Sequence, residues 1–169
     1  MNARLAAWNA ADETTALDAM IACCGARRWA AAMVRQRPID SMEKLGATAD
    51  EIWFTMDVPD WMEAFACHPR IGERKAAHAT AKSKEWSKLE QSAASGAAAE
   101  IVARLAEGNA LYEERFGFTY IVCATGKSAE EMLAILEGRL KNDRETELRE
   151  AAEQQRQITQ IRLRKWLAE

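Results

Sequence analysis

The sequence predicts an all-α fold, a single-domain bundle of about eight or nine helices over residues 1–169 with one short extended segment near 118–124. Three observations predict it. Apolar residues recur at helical spacing through most of the chain. Only 3 prolines interrupt its 169 residues. One run alone, 118–124, is β-branched and aromatic over a length too short for a helix of its own.

Composition narrows the class. Hydrophobic residues make up 49% and charged residues 29% of the chain, which excludes a disordered protein and allows a buried core. A net charge of −3 gives no clustered positive field for nucleic acid or an anionic membrane. No window approaches the roughly 18 apolar residues of a membrane span. The opening MNARLAAWNAADE lacks the apolar stretch of a signal peptide, so a cytoplasmic setting is expected. Cys23, Cys24, Cys67 and Cys123 show no ligand spacing and read as reduced, structural thiols, with no metal site.

Along the chain, Asp12 or Thr14 caps a helix carrying Leu17, Met20 and Ile21 that closes near Gly25. A second runs from Arg27 to Gln36 with Trp29, Ala32 and Met33 at helical spacing, stopped by Pro38. Asp40-Ser41 opens a third, with a possible break at Gly46 before Ile52, Trp53 and Met56. Asp57 with Pro59 signals the next, Asp60 to Cys67. It delivers the chain to His68-Pro69-Arg70-Ile71-Gly72-Glu73. His68 is one of 2 histidines; at a helix mouth it is either a proton-transfer group or simply a residue that ends a helix.

Residues 70–82 have no firm apolar period and read as an active-site loop or loose helix. Lys84 to Ala94 reads as helix, with Trp86, Leu89, Glu90, Ala93 and Ala94 on one stripe; a carboxylate there wants a partner. A long helix from about Ala97 to Phe116 turns Ile101, Leu105, Ala106, Leu111 and Tyr112 inward and ends at Gly117. The extended run Phe118 to Ala124 has no second strand to pair with, so side chains, water or a ligand must satisfy its backbone. Ser128 and Glu131 form a capping box for a helix through Met132, Leu133, Ile135 and Leu136. Asn142-Asp143 opens the last helix, about Arg144 to Leu167, with Leu148, Ala151, Ala152, Gln155, Ile158, Arg162 and Trp166 along one stripe. Arg162, set into apolar surroundings, is either a structural ion pair or an anion-binding group. Glu145, Glu147, Arg149 and Glu150 read as a solvated face.

The blocks HPRIGE, SKLEQS, RFGFTYIVCATG and ITQIRL, in this order, together with ARRWAAAMVRQRPIDS, resemble the family of 2-oxo-4-hydroxy-4-carboxy-5-ureidoimidazoline (OHCU) decarboxylases of urate breakdown. The resemblance covers nearly the whole chain. It implies an all-helical fold, a cofactor-free decarboxylation of OHCU to S-allantoin, and a homodimer. It places the catalytic histidine on His68, its neighbouring proline on Pro69, and a Glu-Gln pair on Glu90 and Gln91 within the binding segment Ser87, Lys88, Leu89, Glu90, Gln91. The extended substrate-binding stretch falls on Tyr120, Ile121, Val122, Cys123 and Ala124, and a late arginine on Arg162. The chain departs at Thr119-Tyr120, where Pro-Phe is common, and in the run from Glu73 to Trp86; its end lacks a peroxisomal tripeptide, which fits a bacterial-type cytoplasmic enzyme.

The chemistry implied by the resemblance suits these residue types. OHCU bears a carboxylate and a hydroxyl on one ring carbon, so the electrons left by carbon dioxide pass into the conjugated ring, and no pyridoxal, thiamine or metal is required. The protein must orient the carboxylate, stabilise the developing charge and protonate one face. Backbone N–H groups of 120–124 suit ring or ureido oxygens, Glu90 suits ring N–H donors, and Arg162 suits an oxyanion. His68 is left for the proton. The competing readings are a catalytically idle helical interaction module, in which His68, Glu90 and Arg162 form only a buried polar cluster, and a hydrolase of related intermediates, for which no nucleophile or metal constellation is seen.

Overall fold

The structure is a computed structural model that describes residues 2–70, 80–90 and 99–169. The described residues form nine helices and no strand: α1 (Ala3–Ala10), α2 (Glu13–Cys24), α3 (Arg27–Arg35), α4 (Met42–Phe54), α5 (Val58–Ala66), α6 (Ala81–Glu90), α7 (Ala99–Phe116), α8 (Ala129–Arg139) and α9 (Arg144–Ala168). The all-α expectation holds. Contacts divide the chain into two compact units, Met1–Ala64 with Arg156–Glu169, and Phe65–Gln155.

In the first unit, helix ends follow the sequence signals. Asp12 caps α2 by accepting from the Thr15 amide, and Gly25 closes it with φ 92°, a left-handed conformation that costs glycine nothing. Ser41 caps α4, and α3 ends at Arg35 ahead of a cis Arg37–Pro38 bond. The core holds Leu5, Met20, Trp29, Met33 and Leu45, all fully buried. Buried indoles need acceptors: Trp8 donates to the Ala16 carbonyl and Trp29 to the Ala49 carbonyl, each at 3.0 Å. The possible break at Gly46 is not present, since α4 runs through it. Gln160 supports the site instead: its amide donates to the Gly46 carbonyl at 2.8 Å, and its Oε1 lies 3.0 Å from where a Cβ would stand.

In the second unit, α7 and α8 pack closely at Gly108, where an added Cβ would lie 2.6 Å from Leu136 Cδ2. The buried face of α7 is Leu105, Gly108, Asn109, Tyr112 and Phe116. The expectation that Ala106 and Leu111 turn inward is therefore corrected: both are exposed, Leu111 to 50%. One residue rotates a helix by about 100°, and the inward track passes through a glycine and an asparagine that an apolar pattern does not reveal. In α6, Leu89 is likewise 57% exposed, whereas Ser83, Trp86 and Ser87 are buried. The capping box on α8 is present as expected, with Ser128 and Glu131 each bonding the other's amide.

Glu147 is the largest correction. Expected on a solvated face, it is completely buried. Its carboxylate takes Arg139 Nε at 3.0 Å and Nη2 at 2.9 Å, the Tyr112 hydroxyl, and Asn142 Nδ2 at 3.2 Å. Glu145 and Arg149 do pair on the exposed surface.

Candidate functional site

His68 follows α5 directly. Its amide donates to the Phe65 carbonyl at 3.1 Å, continuing the last turn, and Pro69 then blocks further helix. The imidazole is half-buried and Pro69 is buried. The ring is held: His68 Nε2 lies 2.7 Å from Oε1 of Gln155 on α9, a side chain that is fully buried. Sequence periodicity placed Gln155 on the buried stripe but gave it no role. A polar residue on such a stripe was the one available signal, since its partner lies 87 positions away.

Arg70, next in the chain, is tied to α7. Its guanidinium meets Glu113 with both oxygens engaged, Nε to Oε1 at 2.6 Å and Nη2 to Oε2 at 2.5 Å, the forked geometry of a strong Arg–carboxylate pair. These bonds hold the Glu113 carboxyl below its ordinary range against a smaller opposing effect of burial. Because the folded value is depressed, the stabilisation is complete above the ordinary carboxylate range and is lost as pH falls through the folded value. Carbon-13 titration of the Glu113 carboxyl should give a midpoint below that of a free glutamate, and Arg70→Gln should raise it; an unmoved midpoint would show that the pair does not persist in solution.

The extended segment lies in the same unit. Tyr120, Ile121, Val122, Cys123 and Ala124 are all buried, and none of them pairs in a strand. Side chains satisfy part of the backbone. The Cys123 amide donates to Gln154 Oε1 at 2.8 Å, and the Ile121 carbonyl accepts from Arg139. The Cys123 and Ala124 carbonyls accept from the Lys127 ammonium at 2.6 Å and the Lys127 amide at 3.0 Å. Among the described residues, no protein hydrogen bond engages the amide or carbonyl of Val122. Arg139 also lies over the Tyr120 and Tyr112 rings at 4.9 and 5.7 Å from their centroids, a buried support that the sequence pattern did not show. Burial drives both phenols well above their ordinary pKa, with Arg139 opposing the shift.

The other expected residues are placed as follows. Ser87 is buried on α6, whereas Lys88 and Leu89 are exposed. Glu90 closes α6; the expectations for its side chain and for Gln91 fall outside the described residues, as does the loop reading of 71–79. Arg162 belongs to the first unit and is 1% exposed on α9. Its charge partly offsets the burial that raises the Cys23 thiol pKa. All four cysteines are buried, and none forms a disulfide. A groove of about 440 Å³ in the first unit, between α4 and α9, contains none of the expected site residues. Its Asp50 accepts from Arg156 at 3.0 Å and from Gln160 at 2.7 Å.

Comparison with known proteins follows the same lines. A family profile for OHCU decarboxylase matches residues 9–164, and so takes in residues of both units. The uric acid degradation bifunctional protein TTL of Arabidopsis thaliana is 39% identical over 145 residues; the match covers 85% of this chain but only 44% of that protein, so the chain spans less than half of this relative. The 2-oxo-4-hydroxy-4-carboxy-5-ureidoimidazoline decarboxylase of Amia calva is 31% identical over 134 residues, 79% of this chain and 77% of that one. A crystal structure of an OHCU decarboxylase in the presence of (S)-allantoin superposes with a TM-score of 0.77 at 35% identity, covering 90% of this chain and 99% of that chain. With its profile matched almost from end to end, this chain belongs to the OHCU decarboxylase family.

Proposed function

We propose that this protein decarboxylates OHCU to S-allantoin in urate degradation, without a cofactor, with His68 as the proton-transfer group. The observation that carries the reading is the near-complete match to a decarboxylase crystallised with (S)-allantoin. It is supported by a half-buried imidazole fixed at a helix end and by an extended segment in the same unit whose Val122 amide and carbonyl make no hydrogen bond to the described residues. Pro69, Ser87, Lys88, Leu89, Glu90, Gln91 and the backbone of Tyr120 to Ala124 form the substrate-binding set in this proposal. Glu90 accepts ring N–H donors, and Arg162, a buried guanidinium, faces an anionic oxygen.

Loss of carbon dioxide leaves an electron pair that the conjugated ring takes up. The protein then has three tasks: to hold the carboxylate out of the ring plane, to stabilise the charge, and to deliver one proton to one face. We further propose that the chain acts as one domain in a homodimer and works in the cytoplasm, a reducing setting that four buried cysteines outside disulfides fit. No helix among the described residues is long and apolar enough to cross a membrane.

Carbon dioxide release from freshly generated OHCU tests the assignment. The expected result is an initial rate proportional to protein concentration, above spontaneous decay and unchanged by chelators. A rate equal to the protein-free control would refute it, and activity that depends on added metal would refute the cofactor-free mechanism.

A further inference from the structure

We propose that Gln155 is a positioning residue for this reaction: its buried amide carbonyl holds His68 as the Nε2–H tautomer, so that the proton exchanged with substrate is carried on Nδ1. The inference rests on the proposed role of His68 and adds to it the identity of the reacting nitrogen.

Gln155 lies on the stripe of α9 between Ala151, Ala152 and Ile158, all buried. An amide in such surroundings costs stability unless it is hydrogen-bonded. Its Oε1 stands 2.7 Å from His68 Nε2. An amide oxygen only accepts, so the ring nitrogen facing it must carry the hydrogen. In the neutral imidazole that assigns the lone pair to Nδ1. In the imidazolium both nitrogens carry hydrogen, and Nδ1 is the one that gives up its proton without breaking the bond to Gln155.

The preceding residue makes the arrangement more specific. Gln154 Nε2 donates to Glu150 Oε1 at 3.0 Å, which orients its amide, and its Oε1 accepts from the Cys123 amide at 2.8 Å. Two consecutive glutamines on one turn of α9 thus hold the proton-transfer ring and the extended segment that the proposal assigns to substrate. Their spacing is fixed by a helix backbone, the stiffest tether available to the chain.

The proton step balances simply. The bond to the carboxylate breaks and its electron pair enters the conjugated ring; the neighbouring ring carbon then forms a C–H bond with the Nδ1 proton of the imidazolium, while the hydroxyl on the decarboxylated carbon becomes a carbonyl and its proton passes to the ring nitrogen that had taken up the charge. The imidazole left behind keeps its Nε2–H on Gln155, and solvent returns a proton to Nδ1.

Long-range ¹H–¹⁵N correlation of the labelled wild-type protein, at a pH where the ring is neutral, tests the tautomer directly. The chain has 2 histidines, so a His78→Asn variant assigns the signals. The expected spectrum shows His68 Nε2 protonated and Nδ1 unprotonated. Gln155→Leu should erase that preference and lower kcat roughly 10–100-fold, the usual cost of losing an orienting partner, with KM unchanged. Gln155→Glu, which keeps an acceptor, should restore the Nε2–H signature and part of kcat. An Nδ1–H ring in an active wild-type enzyme sinks this inference alone, as does Gln155→Leu with wild-type tautomer and kcat. An Nε2–H ring in a protein that does not decarboxylate OHCU sinks the proposed reaction, and the catalytic role of Gln155 with it.

Discussion

His68→Asn is expected to leave the fold and most of the substrate affinity in place while lowering kcat by roughly 10²–10⁴-fold, the range for loss of a general acid or base. That corresponds to about 2.7–5.5 kcal/mol of transition-state stabilisation. The physical reason is local. The ring is half-buried and hydrogen-bonded to Gln155, so a smaller amide fills much of its space but has no titratable nitrogen. The loss should fall on kcat rather than KM, because proton delivery is needed only at the transition state. We favour donation over abstraction, since delivery to one face accounts for a single product enantiomer. In deuterated water, the intact enzyme should then place deuterium stereospecifically in allantoin. Near-normal kcat in His68→Asn would make the ring a positioning group and leave water or Glu90 as the donor.

Glu147→Ala is expected to cost about 3–5 kcal/mol of folding stability, the range for stranding a buried charge. Arg139 is 6% exposed and its guanidinium is engaged by Glu147, by the Ile121 carbonyl and by the Tyr112 hydroxyl. Burial, the largest single effect, disfavours its charge, but the Glu147 bonds together with the Glu147, Tyr112 and Tyr120 charges outweigh it and hold its pKa above the ordinary value. Removing the carboxylate leaves the cost of burial without the compensation. A double change to Glu147→Leu with Arg139→Met should recover most of the loss, because paired charges and well-packed apolar residues are often near parity in a core. Urea unfolding, with the midpoint shifted at constant slope, measures this. A loss below about 1 kcal/mol, the value of an exposed pair, would mean that solvent reaches the site. The double variant should nevertheless impair substrate binding, since Arg139 also anchors the Ile121 carbonyl.

These two residues show where sequence reading succeeds and where it fails. His68 is legible because its chemistry, the following proline and the helix before it are local. The stripe of α9 is legible because Leu148, Ala151, Ala152, Gln155, Ile158, Arg162 and Trp166 repeat at helical spacing, and all are buried. Glu147 is not legible. A carboxylate in the first turn of a helix is ordinarily solvated and favourable there, and only the fold brings Arg139 and Tyr112 to it. The same holds for the exposed Leu89 and Leu111, where buried serines, a glycine and an asparagine define the inward face. At Gly46, propensity argued for a break that contacts from Gln160 make unnecessary. The family blocks supplied the site set as a whole, whereas the Gln154 and Gln155 contacts came only from three-dimensional packing.

The most direct test of the proposed reaction is the handedness of its product. Spontaneous decay of OHCU yields racemic allantoin. With this protein added in catalytic amount, circular dichroism should show optical activity rising with turnover to the value of pure S-allantoin, and the rise should be lost or strongly slowed in His68→Asn. A racemic product at a rate no faster than the protein-free reaction would contradict the account.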